Sequence, residues 1–160
     1  MAKSSLVMFE EESRQIDDII SRLLKETNGK CVFLVDKDGQ LISATGETEG
    51  IDTTSLASLT AGNIAATGGL AKLIGEQEFS ILFHEGEKDN IHISIVGQRV
   101  ILVVIFDERS SLGLVRLRVK KSSAEIETVI NNIISKMDTS QSDDVLLEEI
   151  TDDDIDSLFQ

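Results

Sequence analysis

Apolar residues recur at one-turn helical spacing over residues 6–28, where Phe9, Ile16, Ile19, Ile20, Leu23 and Leu24 share one face. Glu10 to Glu12 near the start and Lys25 near the end complement the helix dipole, and Asn28-Gly29 is a good C-terminal stop. The spacing predicts an amphipathic first helix. The period then shortens. Residues 30–35 (KCVFLV) are apolar and partly β-branched, Asp36-Lys37-Asp38-Gly39 is turn chemistry, and residues 40–44 should return as a paired strand. The stretch from Gly46 to Gly50, with two Glu, reads as an exposed link.

Residues 51–76 form the stretch around which the chain is organised. Asp52, Thr53 and Thr54 are candidate N-caps, because a short side-chain oxygen can accept from the unpaired amides of a first turn. Between Asp52 and Glu76 the only charged residue is Lys72, far fewer charges than a solvated helix carries. Leu56, Leu59, Leu70, Leu73 and Ile74 supply large side chains that can pack on a sheet. A second stripe is small: Ala57, Ala61, Ala65 and Gly68, closing at Lys72, with Gly62 and Gly69 beside it. Glycine within a helix costs roughly 0.5–1 kcal/mol relative to alanine, so three of them suggest that another backbone approaches closely. The expectation is a helix covered on both faces, by its own sheet and by another chain. Burial wholly within its own fold is the alternative, since small residues also occur at helix crossings inside one domain.

Residues 79–84, 91–96 and 100–106 read as three strands, separated by a polar loop at 85–90 and a tight turn at Gly97-Gln98. VILVVIF (100–106) is continuous enough to be a central strand covered on both faces. A last long helix is predicted over 112–137, with Val115, Val119, Ile126, Val129, Ile130, Ile133 and Met137 near one face and Ser110 or Ser111 capping its start. GLVRLRV also alternates well enough for a strand, with the helix then beginning near Ser122.

Net charge changes the picture at the C-terminus. The 160-residue chain carries −14, of which −9 falls after Met137 (nine acids, no Lys or Arg) and −5 on the rest. The chain therefore divides into a body, residues 1–137, and a tail, residues 138–160. The tail opens with a polar TSQSDD linker expected to be flexible. It nevertheless contains Val145, Leu146, Leu147 and Ile150, then Thr151 followed by Asp154, Ile155, Leu158 and Phe159. That pattern suits a short recognition helix that orders on a partner with a basic rim and an apolar groove. An inert solubilising tail is the alternative.

An acidic chain with neither Trp nor Tyr lacks the basic footprint that nucleic acids or anionic membranes require. Cys31 is alone, which excludes an intrachain disulfide, and no apolar run is long enough to span a bilayer, so a reducing cytosol is the expected compartment. Nothing calls for a cofactor or a metal. His84 and His92 could face each other across a hairpin, but two histidines without a third ligand make a poor metal site. Gly68-Gly69 lies mid-helix and no GxxxxGK[ST] is present, so the chain is not a P-loop hydrolase. Asp36 to Gly39 starts like a calcium loop but lacks the later ligands.

The hairpin CVFLVDKDGQLISATG, the helix SLASLTAGNIAATGGLAKLIGE and the strand VILVVIF resemble the roadblock/dynein-light-chain family of dimerisation modules. LVMFEEE, the FHEG turn, DERSSLGLVRLRVKK and the terminal DDDIDSLF are similar to its bacterial gliding-motility branch, regulators of a Ras-like polarity GTPase. The resemblance implies an α/β (α+β) fold in the order α-β-β-α-β-β-β-α. A five-stranded antiparallel sheet would carry the central helix on one face and the first and last helices on the other. It implies a homodimer, two copies per GTPase, whose paired central helices meet the GTP form through Ala57, Ala61, Ala65, Gly68, Gly69 and Lys72. Activation would work by repositioning the GTPase's own switch residues, without a donated arginine and without catalytic chemistry in this chain. Arg14, Arg99 and Arg109 are the conceivable exceptions. The tail, through Ile150, Ile155, Leu158 and Phe159, would dock on the GTPase away from its nucleotide and aid exchange or only tether. A cytoplasmic protein, concentrated at a cell pole, fits that role. A scaffold adaptor without effect on nucleotide turnover is the alternative.

Overall fold

Helix α1 (Glu10–Thr27) opens the computed structural model, which describes residues 6–158 and the side chains of residues 6–139. Its acids Glu10 to Glu12 lie in the first turn and Lys25 in the last, and Asn28 ends it in the left-handed conformation with φ 51°. Strands β1 (Cys31–Asp36) and β2 (Leu41–Gly46) follow as a hairpin. Its turn is held by Gly39 N–H donating to Asp36 O at 2.8 Å and Asp38 N–H donating to Asp36 Oδ1 at 3.0 Å. With φ +94° at Gly39, this is hairpin chemistry.

Helix α2 (Thr53–Leu73) starts at Asp52, whose carboxylate accepts from Ser55 N–H at 3.1 Å. Strands β3 (Ile81–Glu85), β4 (Asn90–Val96) and β5 (Val100–Phe106) complete one antiparallel sheet in the order β2-β1-β5-β4-β3. The central strand β5 and its neighbour β1 are buried along their whole length, as continuous apolar runs covered on both faces must be.

Alternation along these strands builds two cores. Val32, Leu34, Leu102, Val104 and Phe106 point towards α1 and the last helix, where Ile16, Ile20, Leu23, Ile126, Ile130 and Ile133 meet them. Phe33, Val35, Ile101, Val103 and Ile93 point the other way, towards α2 with Ala57 and Ile64. Helices thus cover the sheet in the arrangement expected, two on one face and one on the other.

Helix α3 (Leu112–Leu158) starts at Ser111, whose hydroxyl accepts from Leu114 N–H at 3.2 Å. Its helical start at Leu112 answers the strand alternative for GLVRLRV, with Val115, Val119 and Ile126 buried at helical spacing. The expected stop near Met137 is absent from the backbone, which stays helical to Leu158. The sequence has no glycine after Gly113 and no proline, so the polar linker contains nothing that breaks a helix.

Candidate functional site

Local chemistry makes α2 unusual before any partner is considered. Ala57, Thr60, Ile64 and Ala71, spaced by whole turns, are its buried positions. Small side chains let the helix lie close on β1 and β2, and Ile64 is the only large one among them. The large residues point outward. Leu59 is 73% exposed, Leu70 60%, Leu73 84% and Ile74 69%. Leu56 alone of the leucines expected on the sheet packs against the core. The predicted faces are therefore partly redistributed, with most of the leucines outward and part of the small stripe inward, and the physical reason is that apolar residues surround the helix, so periodicity assigns no phase.

The six residues expected to meet a partner divide accordingly. Ala57 is fully buried against its own sheet and offers no surface. Ala61 and Gly68 are half-buried, while Ala65, Gly69 and Lys72 are exposed. Joined by Gly62, Ala66, Leu59, Leu70 and Leu73, the exposed three form an outward face with a single charge, Lys72. A Cβ built on Gly62, Gly68 or Gly69 meets nothing within 4 Å beyond its own stretch of helix, so no other backbone among the described residues requires those glycines. The leucines were missed as surface residues; their signal was the lack of charge on every side of the helix.

Beside this face α2 leaves part of the sheet uncovered, because it rests on β1 and β2. A groove of about 550 Å³ opens there, floored by Ile91, Ile93 and Val103 and walled by Leu56, Leu59 and Asn63. Asn63 Nδ2 and His84 Nε2 approach to 3.2 Å at its edge. His84 and His92, which the sequence allowed to face each other, do not. The register pairs His92 with Phe83 and His84 with Ile91, which puts the two rings on opposite faces of the sheet. His92 is buried on the α3 side, with neither ring nitrogen hydrogen-bonded among the described residues. Burial, and next the nearby Arg116, holds its pKa below the ordinary value.

Other titratable groups are structural. Burial pushes the Cys31 thiol up to about 11, where it is inert at neutral pH. Arg109 binds Asp107 at 3.0 Å and Glu47 at 3.2 Å, Arg14 stands 3.9 Å from Glu10, and Arg99 lies in the β4–β5 connection. None of the three is on α2. Among the described residues no group of His, Cys, Asp and Glu is placed to hold a metal, and no helix is long and apolar enough to cross a membrane. Ile150, Ile155 and Leu158 belong to the last turns of α3, with side chains outside the described residues, as is Phe159 altogether.

Comparison with known proteins places this architecture. Residues 15–106 match the Roadblock/LC7 domain. The solved structure of Myxococcus xanthus MglB is 63% identical, with a TM-score of 0.76 over 80% of this chain and 96% of that one. The gliding protein MglB of Thermus thermophilus is 30% identical, with a TM-score of 0.76 over 82% of this chain and 99% of that one. An MglB solved with a tetrameric arrangement is 28% identical, with a TM-score of 0.77 over 82% of this chain and 99% of that one. No match was found among curated proteins. With its sheet order, its helix layers and these relatives in agreement, the chain belongs to the Roadblock/LC7 family and is an MglB-like member of it.

Proposed function

We propose that the protein is a homodimeric regulator that accelerates GTP hydrolysis by a small Ras-like GTPase, which it meets through the outward faces of two α2 helices. The observation that carries this reading is the α2 surface: Leu59, Leu70 and Leu73 exposed beside Gly62, Ala65 and Gly69, with Lys72 the single charge. Large apolar side chains left in water mark a surface that a partner covers, and the small ones between them would admit a partner's backbone. No arginine lies on α2. Activation would therefore work by shape, pressing the GTPase's switch residues into place rather than adding a positive charge to the phosphoryl group. Residues 1–137 would form the activating body. Residues 138–160 would dock elsewhere on the GTPase through Ile150, Ile155, Leu158 and Phe159 and aid nucleotide exchange. Such a regulator would work in the cytoplasm and concentrate at a cell pole.

Single-turnover GTP hydrolysis by the Ras-like GTPase of the same organism, with and without the full chain, tests the reading. Ala65→Arg and Gly69→Arg should each remove most of the stimulation while leaving the far-ultraviolet circular dichroism unchanged. Undiminished stimulation by both variants would rule out the α2 surface. Binding by the unsubstituted protein without acceleration would make it a scaffold.

A further inference from the structure

Three cations on the first turns of α3 have no partner among the described residues. Arg116, Lys120 and Lys121 are exposed around Leu117, itself 64% exposed. None of the three takes a hydrogen bond or an ion pair there, whereas Arg118 between them stands 3.8 Å from Glu26. Arg116 and Lys120 are one turn apart, a like-charge spacing that destabilises a helix, and residues 112–124 contain no acid to offset it. The helix gains nothing from this arrangement. In a chain of net charge −14 it is a local excess of positive charge centred on an apolar side chain.

The complement of that surface is in the same sequence. Nine acids follow Met137, interleaved with Val145, Leu146, Leu147, Ile150, Ile155 and Leu158. They cannot reach the cations of their own copy, because both stretches lie on one continuous helix. Lys121 and Asp143 are about 33 Å apart along its axis at a rise of about 1.5 Å per residue.

We infer that the patch formed by Arg116, Leu117, Lys120 and Lys121 in one copy docks the acidic C-terminal segment, residues 143–158, of a second copy. Charge steers the approach and is screened by salt, while Leu117 supplies apolar area at the centre of the contact. The inference does not depend on the GTPase. If the tail also docks on a GTPase, the two destinations compete, and the tail is withheld wherever copies are crowded together.

Disulfide trapping between two full-length chains of different tag length tests it. One carries Gly113→Cys, an exposed position one turn before Leu117 with open space at its Cβ, and the other carries Ser157→Cys. Buried Cys31 adds no background. The mixed adduct should form faster than either like-with-like adduct at about 50 mM salt, and slow roughly tenfold at about 500 mM. Lys120→Glu with Lys121→Glu should slow it to a similar degree, and Asp152→Lys with Asp153→Lys in the other chain should restore it. A mixed adduct no faster than the like-with-like ones, or one indifferent to charge reversal, overturns the inference. Melting temperatures of the charge-reversed chains, expected to be no lower than that of the parent because Lys120→Glu replaces a like-charge pair with Arg116 by an opposite one, separate lost docking from lost folding.

Discussion

Lys136 Nζ lies 2.5 Å from Glu12 Oε1 and 5.4 Å from the centre of the Phe9 ring. One cation on α3 thereby ties down the first turn of α1, where Glu12 is only 4% exposed. The bond from Lys136 holds the Glu12 carboxyl below the ordinary carboxylate value. A carboxylate with a lowered folded pKa adds stability that is complete above its unfolded pKa and fades as pH falls towards the folded one. Lys136→Met should lower Tm at pH 7, and the difference should shrink as pH falls below about 4.5. A Tm difference independent of pH would show that the pair contributes no charge-linked stability.

His92 should give a second dependence in the same direction. Its folded pKa is depressed below about 6.5 by burial, so the unfolded chain binds the proton more readily. Stability is therefore complete above that value and falls as pH drops below it. His92→Leu should flatten the change in urea midpoint between pH 7.5 and pH 5.5. An unaltered slope would assign it to other groups.

Phe33 is fully buried between β1 and α2. Phe33→Ala should cost about 3–5 kcal/mol in urea unfolding, from lost transfer energy plus a cavity. A cost under about 1.5 kcal/mol would mean that α2 collapses into the space.

The helix glycines separate stability from contact. Gly62→Ala and Gly69→Ala remove backbone freedom at positions with nothing within 4 Å. Each should stabilise the free chain by up to about 1 kcal/mol. Destabilisation instead would show that a second copy already closes over this face in solution. Under the proposed function the same substitutions should weaken stimulation of the GTPase.

What could be read from the sequence followed how strongly each pattern constrained the backbone. VILVVIF has no polar interruption and became a buried central strand. The Asp36 to Gly39 turn, the Asp52 cap and the Asn28 stop were each fixed by local hydrogen bonds that a few residues specify. The orientation of α2 was not legible, because leucine and alanine alternate around it and only the tertiary context decides which lies inward. Ala57 was misplaced for that reason. The relative placement of His84 and His92 depended on register, where a slip of one residue moves a side chain to the opposite face. The end of α3 was legible only as the absence of a breaker, a weaker signal than the presence of one.

One sheet carries two unequal faces, the first sealed by α1 and α3, the second only partly covered by α2. Hydrogen exchange should register the difference, with amides of β1 and β5 opening only in global unfolding and those of α2 opening locally. Substitution should be felt unequally too. Residues on the sealed face answer to one another and can change only together. Leu59, Leu70 and Leu73 answer to whatever covers them, so a chain of this architecture can acquire a new partner by altering a few outward positions while the residues that fold it stay as they are.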